Sequence, residues 1–253
     1  MKIISAGATD PGKKRDNNED AYLVNDELCL YAVADGVGGH EGGEVASRLA
    51  VETFAAALAD LLGQRDRTPP QGFSPDTDPE LAALRSAVAL ANRKVRRERE
   101  HNPALSDMGT TLTALFVKNA RAFLVHVGDS RAYCLRSGEL RQITSDHSLV
   151  AEQRRAGVLT PEQARRSPYR HVITRALGIQ EDVRADAAAP TIQRGDAFLL
   201  CTDGLTEMVG DQEIAKILAK YAPRDAVRKL VDEANRNGGV DNITAVAIQI
   251  NEI

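Results

Sequence analysis

Three aspartates in this chain share one setting: an apolar, β-forming run that ends in Asp beside Gly. The runs are Leu30-Tyr-Ala-Val-Ala-Asp35-Gly36, Phe123-Leu-Val-His-Val-Gly128-Asp129 and Phe198-Leu-Leu-Cys-Thr-Asp203-Gly204. A strand end is rigid, and a neighbouring glycine lets other groups come close. Carboxylates held this way can converge on one point, where they repel one another unless a cation sits among them. Hard oxygen ligands of this kind suit Mg2+ or Mn2+. The pattern therefore predicts a hard-metal site and metal-assisted chemistry.

Further polar segments border β-like runs. Arg15-Asp16-Asn17-Asn18-Glu19-Asp20 precedes one, Met108-Gly109-Thr110-Thr111 opens another, and Asp241-Asn242 precedes the last. Each alone reads as a turn or a strand start; together they add polar side chains to the edges of β runs. Asp35-Gly36-Val37-Gly38-Gly39-His40 lies between a strand and a helix. It is not a dinucleotide loop, because Glu41 stands where Gly-x-Gly-x-x-Gly requires its third glycine.

Other chemistries fail on their own spacing. Six residues after Cys29, Cys134 and Cys201 come Asp35, Leu140 and Glu207, so Cys-x5-Arg is absent. The only Asp-x-Asp, Asp76-Thr77-Asp78, sits in a Pro-rich stretch rather than after a strand, a poor place for a phospho-aspartate nucleophile. There is no Gly-x-Ser-x-Gly, and His40-Glu-Gly-Gly-Glu44 is not His-Glu-x-x-His. Gly7-Ala-Thr-Asp-Pro-Gly12-Lys13 has phosphate-loop spacing. However, Lys14 replaces the Ser or Thr, Pro11 removes an amide donor, and no helix is expected after it.

The elements that must hold these residues follow from periodicity. Short β runs open the chain at 3–8, 21–24 and 28–34. Helices are expected at about 44–62 and 79–100, separated by a turn-rich surface loop at 63–78. Four β runs follow at 110–117, 121–127, 131–135 and 140–143, with tight turns at Lys118-Asn119-Ala120 and Ser137-Gly138. Residues 146–172 are polar and Arg-rich with helical pieces. Strands return at 187–193 and 197–201, helices at 211–221 and 223–237, and a last strand at 243–250. This blocked order favours antiparallel sheets with packed helices over a doubly wound parallel sheet.

The 253 residues are 43% hydrophobic and contain no Trp, so a sizeable and mostly aliphatic core is expected. The formal net charge is −4 with no basic stripe, which argues against a nucleic-acid partner. The first residues turn polar by Thr9-Asp10, and no 18-residue apolar run exists. The sequence thus reads as soluble and cytoplasmic, with no membrane partner. Cys29, Cys134 and Cys201 lie in apolar runs and read as free thiols.

Six segments in order resemble the motifs of the metal-dependent type 2C (PPM) Ser/Thr protein phosphatases, in their bacterial catalytic-core form. They are Arg15-x-x-Asn18-Glu19-Asp20, Asp35-Gly36-Val37-Gly38-Gly39-His40, Met108-Gly-Thr-Thr111, Val127-Gly-Asp129-Ser-Arg131, Leu200-Cys-Thr-Asp203-Gly204 and Asp241-Asn242-Ile243-Thr244. The resemblance implies one catalytic domain over 1–253, an α+β fold built as a four-layer α-β-β-α sandwich. It implies two or three Mg2+ or Mn2+ ions. Asp35 would bridge two of them, with the Gly36 carbonyl on one and Asp203 and Asp241 on the other. Asp20 and Glu19 would orient metal-bound waters, and Asp129 with Asp203 would form a third site. Arg15 would grip the substrate phosphate, His40 would be the general acid, and a metal-bridging water would attack directly. The other histidines, His101, His126, His147 and His171, have no such placement. Residues 146–172 occupy the place of the family's flap, with Arg154, Arg155, Arg165 and Arg166 as candidates for choosing phosphopeptides. The resemblance also implies phosphoprotein substrates, a cognate Ser/Thr protein kinase and a monomer. A rival is a binding module of the same fold that has lost catalysis; the presence of Asp20, Asp35, Asp129, Asp203 and Asp241 weighs against it.

Overall fold

The computed structural model describes residues 1–38, 42–65 and 78–253. Strands β1 (Lys2–Asp10), β2 (Asp20–Asn25) and β3 (Leu30–Val37) are followed by helices α1 (Gly42–Arg65) and α2 (Pro79–His101). Next come β4 (Gly109–Thr110), β5 (Leu112–Lys118), β6 (Arg121–Val127), β7 (Arg131–Arg136) and β8 (Glu139–Gln142). Two short helices, α3 (Leu149–Arg155) and α4 (Pro161–Arg166), precede β9 (Asp186–Ala188) and β10 (Ala197–Cys201). Helices α5 (Asp203–Thr206), α6 (Asp211–Lys220) and α7 (Pro223–Arg236) lead to β11 (Ile243–Glu252).

The strands form two antiparallel sheets, in the orders β1-β11-β10-β7-β8 and β2-β3-β5-β6-β9, with β4 added beside β3. Side chains alternate across a strand, so a run apolar at every position can bury both faces. In β3, Leu30, Ala32 and Ala34 pack with Phe54 of α1 and Leu84 of α2, while Tyr31 and Val33 face the other sheet. In β10, Phe198 and Leu200 enter that same inter-sheet core, while Leu199 and Cys201 pack toward Ile214 of α6 and Leu230 of α7. The result is the expected four-layer α-β-β-α sandwich.

Local signals explain most boundaries. The Asp78 side chain accepts from the Glu80 amide, and Pro79 occupies the first turn of α2. Asn119 and Ala120 both have positive φ (50° and 59°), as do Ser137 and Gly138 (52° and 83°). Both hairpins therefore close by two-residue turns whose twist matches the strands.

The structure corrects three expectations. The strand expected at 187–193 is only Asp186–Ala188, because Pro190 has no N–H for a ladder and one bridge, Thr191 to Arg121, remains beyond it. Helix α1 runs on to Arg65, so residues 63–65 of the expected loop are helical; 66–77, with Asp76 and Thr77, lie outside the described residues. Asp35 is not at its strand's end, because Gly36 and Val37 continue β3 by pairing with Thr110 and Gly109. The phosphate-loop spacing at Gly7 falls largely within β1, with no helix after it.

Candidate metal centre

Strand register sets the first pair of carboxylates. Asp20 opens β2 directly opposite Asp35 on β3, so the two side chains share one face at the same level. The Asp35 amide donates to Thr111 Oγ1 (2.8 Å), and the Asp35 carbonyl accepts from the Thr111 amide (2.9 Å) and Thr110 Oγ1 (2.9 Å). Thr111 Oγ1 also meets Ser130 Oγ at 2.8 Å, which ties the Asp129-Ser130 segment to Asp35. Gly36 permits the close packing here: a Cβ on it would lie 2.0 Å from the Gly43 carbonyl oxygen.

Asp203 and Asp241 flank strands of the other sheet: Asp203 opens α5 just after β10, and Asp241 lies in the turn before β11. Thr202, just before Asp203, donates through Oγ1 to Asp20 Oδ2 (2.8 Å) and accepts from the Thr244 amide (3.0 Å). That hydroxyl joins the two sheets at the site. A Cβ on Gly204 would sit 2.0 Å from the Asn242 carbonyl oxygen, so this glycine lets the 241–242 turn close against α5. The Asn242 side chain donates to the carbonyls of Pro11 (3.0 Å) and Asn17 (2.8 Å) and accepts from the Glu19 amide (2.8 Å). The loop from Pro11 to Glu19 is thereby fixed beside Asp241. The Glu19 carboxylate rests against Gly43 at the start of α1, and burial raises its pKa.

The electrostatics describe a cluster short of positive charge. Burial, then repulsion from Asp20, Asp203 and Asp129, holds Asp35 well above the usual carboxylate range. Burial and Asp203 do the same to Asp129. Asp203 is raised by burial and by Asp241, and its carboxyl meets that of Asp35 in hydrogen-bonding contact. Asp20 is pushed up to about 7, chiefly by burial, against hydrogen bonds from Thr244 and Thr202 that favour its charged form. Its Oδ1 is buried with no hydrogen-bond partner. Buried carboxylates that repel one another, with an orphaned oxygen among them, are a donor set suited to hard divalent cations. The residues present therefore fit the Mg2+ or Mn2+ that the sequence implies.

Arg15 reaches this cluster but is engaged: its Nη2 donates to Asp241 Oδ2 at 2.7 Å. His40 lies outside the described residues. The flap starts from a half-buried anchor, in which Arg131 donates from Nε and Nη2 to the Asp146 carboxylate, the shortest bond being 2.7 Å. Arg155 is also structural, donating to Ser145 Oγ and the Asp146 carbonyl. Arg154, Arg165 and Arg170 instead line a cavity of about 410 Å³ together with Asp129, Asp203 and Glu207.

Sequence reasoning gave Thr111, Ser130, Thr202 and Asn242 no roles, although each sits beside a candidate carboxylate or within its motif. It also left His147 and His171 unplaced. His147 is buried; its Nδ1 accepts from the Gly128 amide, next to Asp129, and its Nε2 faces Asp186. His171 Nδ1 lies 3.1 Å from Glu207 Oε1. Glu207 was findable, since it follows Asp203 by one helical turn.

Comparison with known proteins identifies the family. The family described as protein phosphatase 2C matches residues 12–236. The serine/threonine protein phosphatase PstP of Mycobacterium tuberculosis is 40% identical over 245 residues, covering 97% of this chain and 44% of PstP. The chain thus spans less than half the length of that relative. Protein phosphatase PhpP of Streptococcus pneumoniae is 36% identical over 248 residues, covering 96% of each chain. A crystal structure of the M. tuberculosis phosphatase superposes with a TM-score of 0.86 at 39% identity, covering 99% of both chains. A second structure, of the PstP catalytic domain in complex with two manganese ions, gives 0.82 at 38% identity and 99% of both. By sequence over nearly its whole length, and by fold, the chain belongs to the protein phosphatase 2C family.

Proposed function

We propose that this chain is a metal-dependent phosphatase that hydrolyses phospho-Ser and phospho-Thr side chains of proteins by direct attack of water. One observation carries the reading: Asp20, Asp35 and Asp203 meet from both sheets beside Asp241, and burial and repulsion from neighbouring carboxylates raise the pKa values of those three. Asp35 with the Gly36 carbonyl, Asp203 and Asp241 would hold two Mg2+ or Mn2+ ions. Asp20 and Glu19 would orient their waters, and Asp129 with Asp203 would hold a third ion. Ions bound there supply Lewis acidity and a water that is nucleophilic at neutral pH.

The chain's own groups then position the substrate. The Arg15 guanidinium offers a fork for two phosphate oxygens, and it would release Asp241 to bind the phosphate. His40 would donate a proton to the leaving Ser or Thr oxygen, a role worth roughly 10²–10⁴-fold. Arg154, Arg165 and Arg170 would favour anionic segments of a phosphopeptide beside the cleft. A cytoplasmic partner kinase specific for Ser and Thr would supply the substrates, which this enzyme would return to the hydroxyl form.

Asp203→Asn tests the reading, because Asp203 is shared among the proposed ions. Turnover of a phosphopeptide should fall by more than about 100-fold, as expected for a change closer to metal than its outer hydrogen-bond partners. The circular dichroism spectrum should not change. Undiminished turnover by Asp203→Asn would refute it.

A further inference from the structure

His126 lies on β6, next to β9, the strand that ends its sheet. Its ring is 1% exposed. Its Nδ1 lies 2.9 Å from Thr113 Oγ1 on β5, but its buried Nε2 has no hydrogen-bond partner. The Ser145 backbone comes close to the ring without completing a bond to that nitrogen. The same ring lines a cavity of about 700 Å³ between β9 and the segment after β8. We propose that this cavity binds a small organic phosphate with an aliphatic body, with His126 at its floor and Arg85 and Arg184 at its mouth.

Three features name the ligand. The first is charge. Arg85 of α2 and Arg184, just before β9, are exposed and line the cavity. Neither guanidinium has an ion pair or hydrogen bond among the described residues. Guanidinium forks match phosphate oxygens. Asp186, the carboxylate among the lining residues, is already matched by Arg175 Nη1 (3.0 Å) and faces His147 Nε2 (3.2 Å). The second feature is the wall, where Leu124, Ile143 and Val183 offer aliphatic surface. The third is size, which suits a small organic molecule rather than a bare ion.

His126 would fix the ligand's orientation. Burial and the His147 ring, 4.7 Å away, pull its pKa down to about 4, so the imidazole is neutral at physiological pH. A neutral imidazole carries one ring proton. Thr113 Oγ1 is nearer to Nδ1 (2.9 Å) than to the Ser130 carbonyl oxygen (3.3 Å), so its hydroxyl donates to the ring and Nε2 keeps the proton. A buried N–H without an acceptor is costly, and a phosphate oxygen would satisfy it.

Hexylphosphonate is the probe, because it carries the oxyanion and an aliphatic body and cannot be hydrolysed. Titrations would be made by calorimetry in chelator. No metal is present there and no turnover is measured, so the outcome is independent of the phosphatase reading. Wild type should bind the phosphonate at a single site. Arg85→Ala and Arg184→Ala should each weaken binding by about 10-fold, the loss of one charge-assisted hydrogen bond. Inorganic phosphate should bind about 10-fold more weakly than hexylphosphonate, for want of the buried body. Nitrogen-15 NMR of histidine-labelled wild type should show the His126 Nε2 signal moving on titration. No binding by wild type, or binding that leaves this signal unmoved and that both arginine variants retain in full, would overturn the site. Inorganic phosphate bound as tightly as hexylphosphonate would overturn the assignment of an organic ligand.

Discussion

Asp20 shows the site's character most clearly at the scale of one residue. Its carboxyl is buried, one oxygen lacks a partner, and its pKa stands at about 7 against an ordinary value of 3.8. Between those two values the folded protein holds a proton that the unfolded chain has released. Stability in chelator must therefore fall as pH rises from about 4 to about 7 through this group. Asp20→Asn removes that penalty. In chelator at pH 7.5 the variant should melt higher than wild type, yet gain less on adding Mn2+; a lower melting temperature in chelator would contradict the assignment. Asp35 and Asp203 were legible from sequence because each follows a long apolar run. Asp20 and Asp241 have no such run before them and emerged from the ordered motifs. The Arg15–Asp241 pair could not be read in advance, since only folding brings together residues 226 positions apart.

The flap separates two kinds of arginine at the scale of an element. Arg131 and Asp146 are largely shielded, with side chains 28% and 15% exposed, and share three hydrogen bonds. Arg131→Ala would leave the Asp146 carboxylate with its bond from Gln142 Nε2 (2.7 Å) but without its charged partner, and should cost about 1–3 kcal/mol in urea unfolding. Arg165→Ala with Arg166→Ala lies in the last turn of α4 and should cost less than about 0.5 kcal/mol. That double variant should instead weaken the preference for acidic phosphopeptides while leaving a small aryl phosphate a good substrate; unchanged peptide preference would remove these arginines from recognition. Helices α1, α2, α6 and α7 and most strands were legible because burial on one or two faces writes its period into the sequence. Strand β9 was not, because its apolar alternation continues past Pro190, where pairing cannot.

Across the whole molecule, the fold works as a clamp on charge. One sheet contributes Asp20 and Asp35, and segments flanking strands of the other contribute Asp203 and Asp241. The inter-sheet core of Tyr31, Leu115, Phe198 and Val246 fixes the distance between them. The cost of gathering these carboxylates is carried by that core until cations arrive, which would then stabilise the folded state by mass action, about 2.7 kcal/mol per site at a hundred times its dissociation constant. The sandwich was legible from the blocked order of strands and helices. How the two sheets register at the site was not, because it depends on Thr202 bridging to Asp20 and on glycines 36 and 204 admitting backbone from elsewhere. The most direct test of the central claim is phosphate release from a phosphothreonine peptide by protein stripped of metal and titrated with Mn2+. Release should be absent in chelator and return saturably with added Mn2+. Full activity that persists under complete chelation would contradict it.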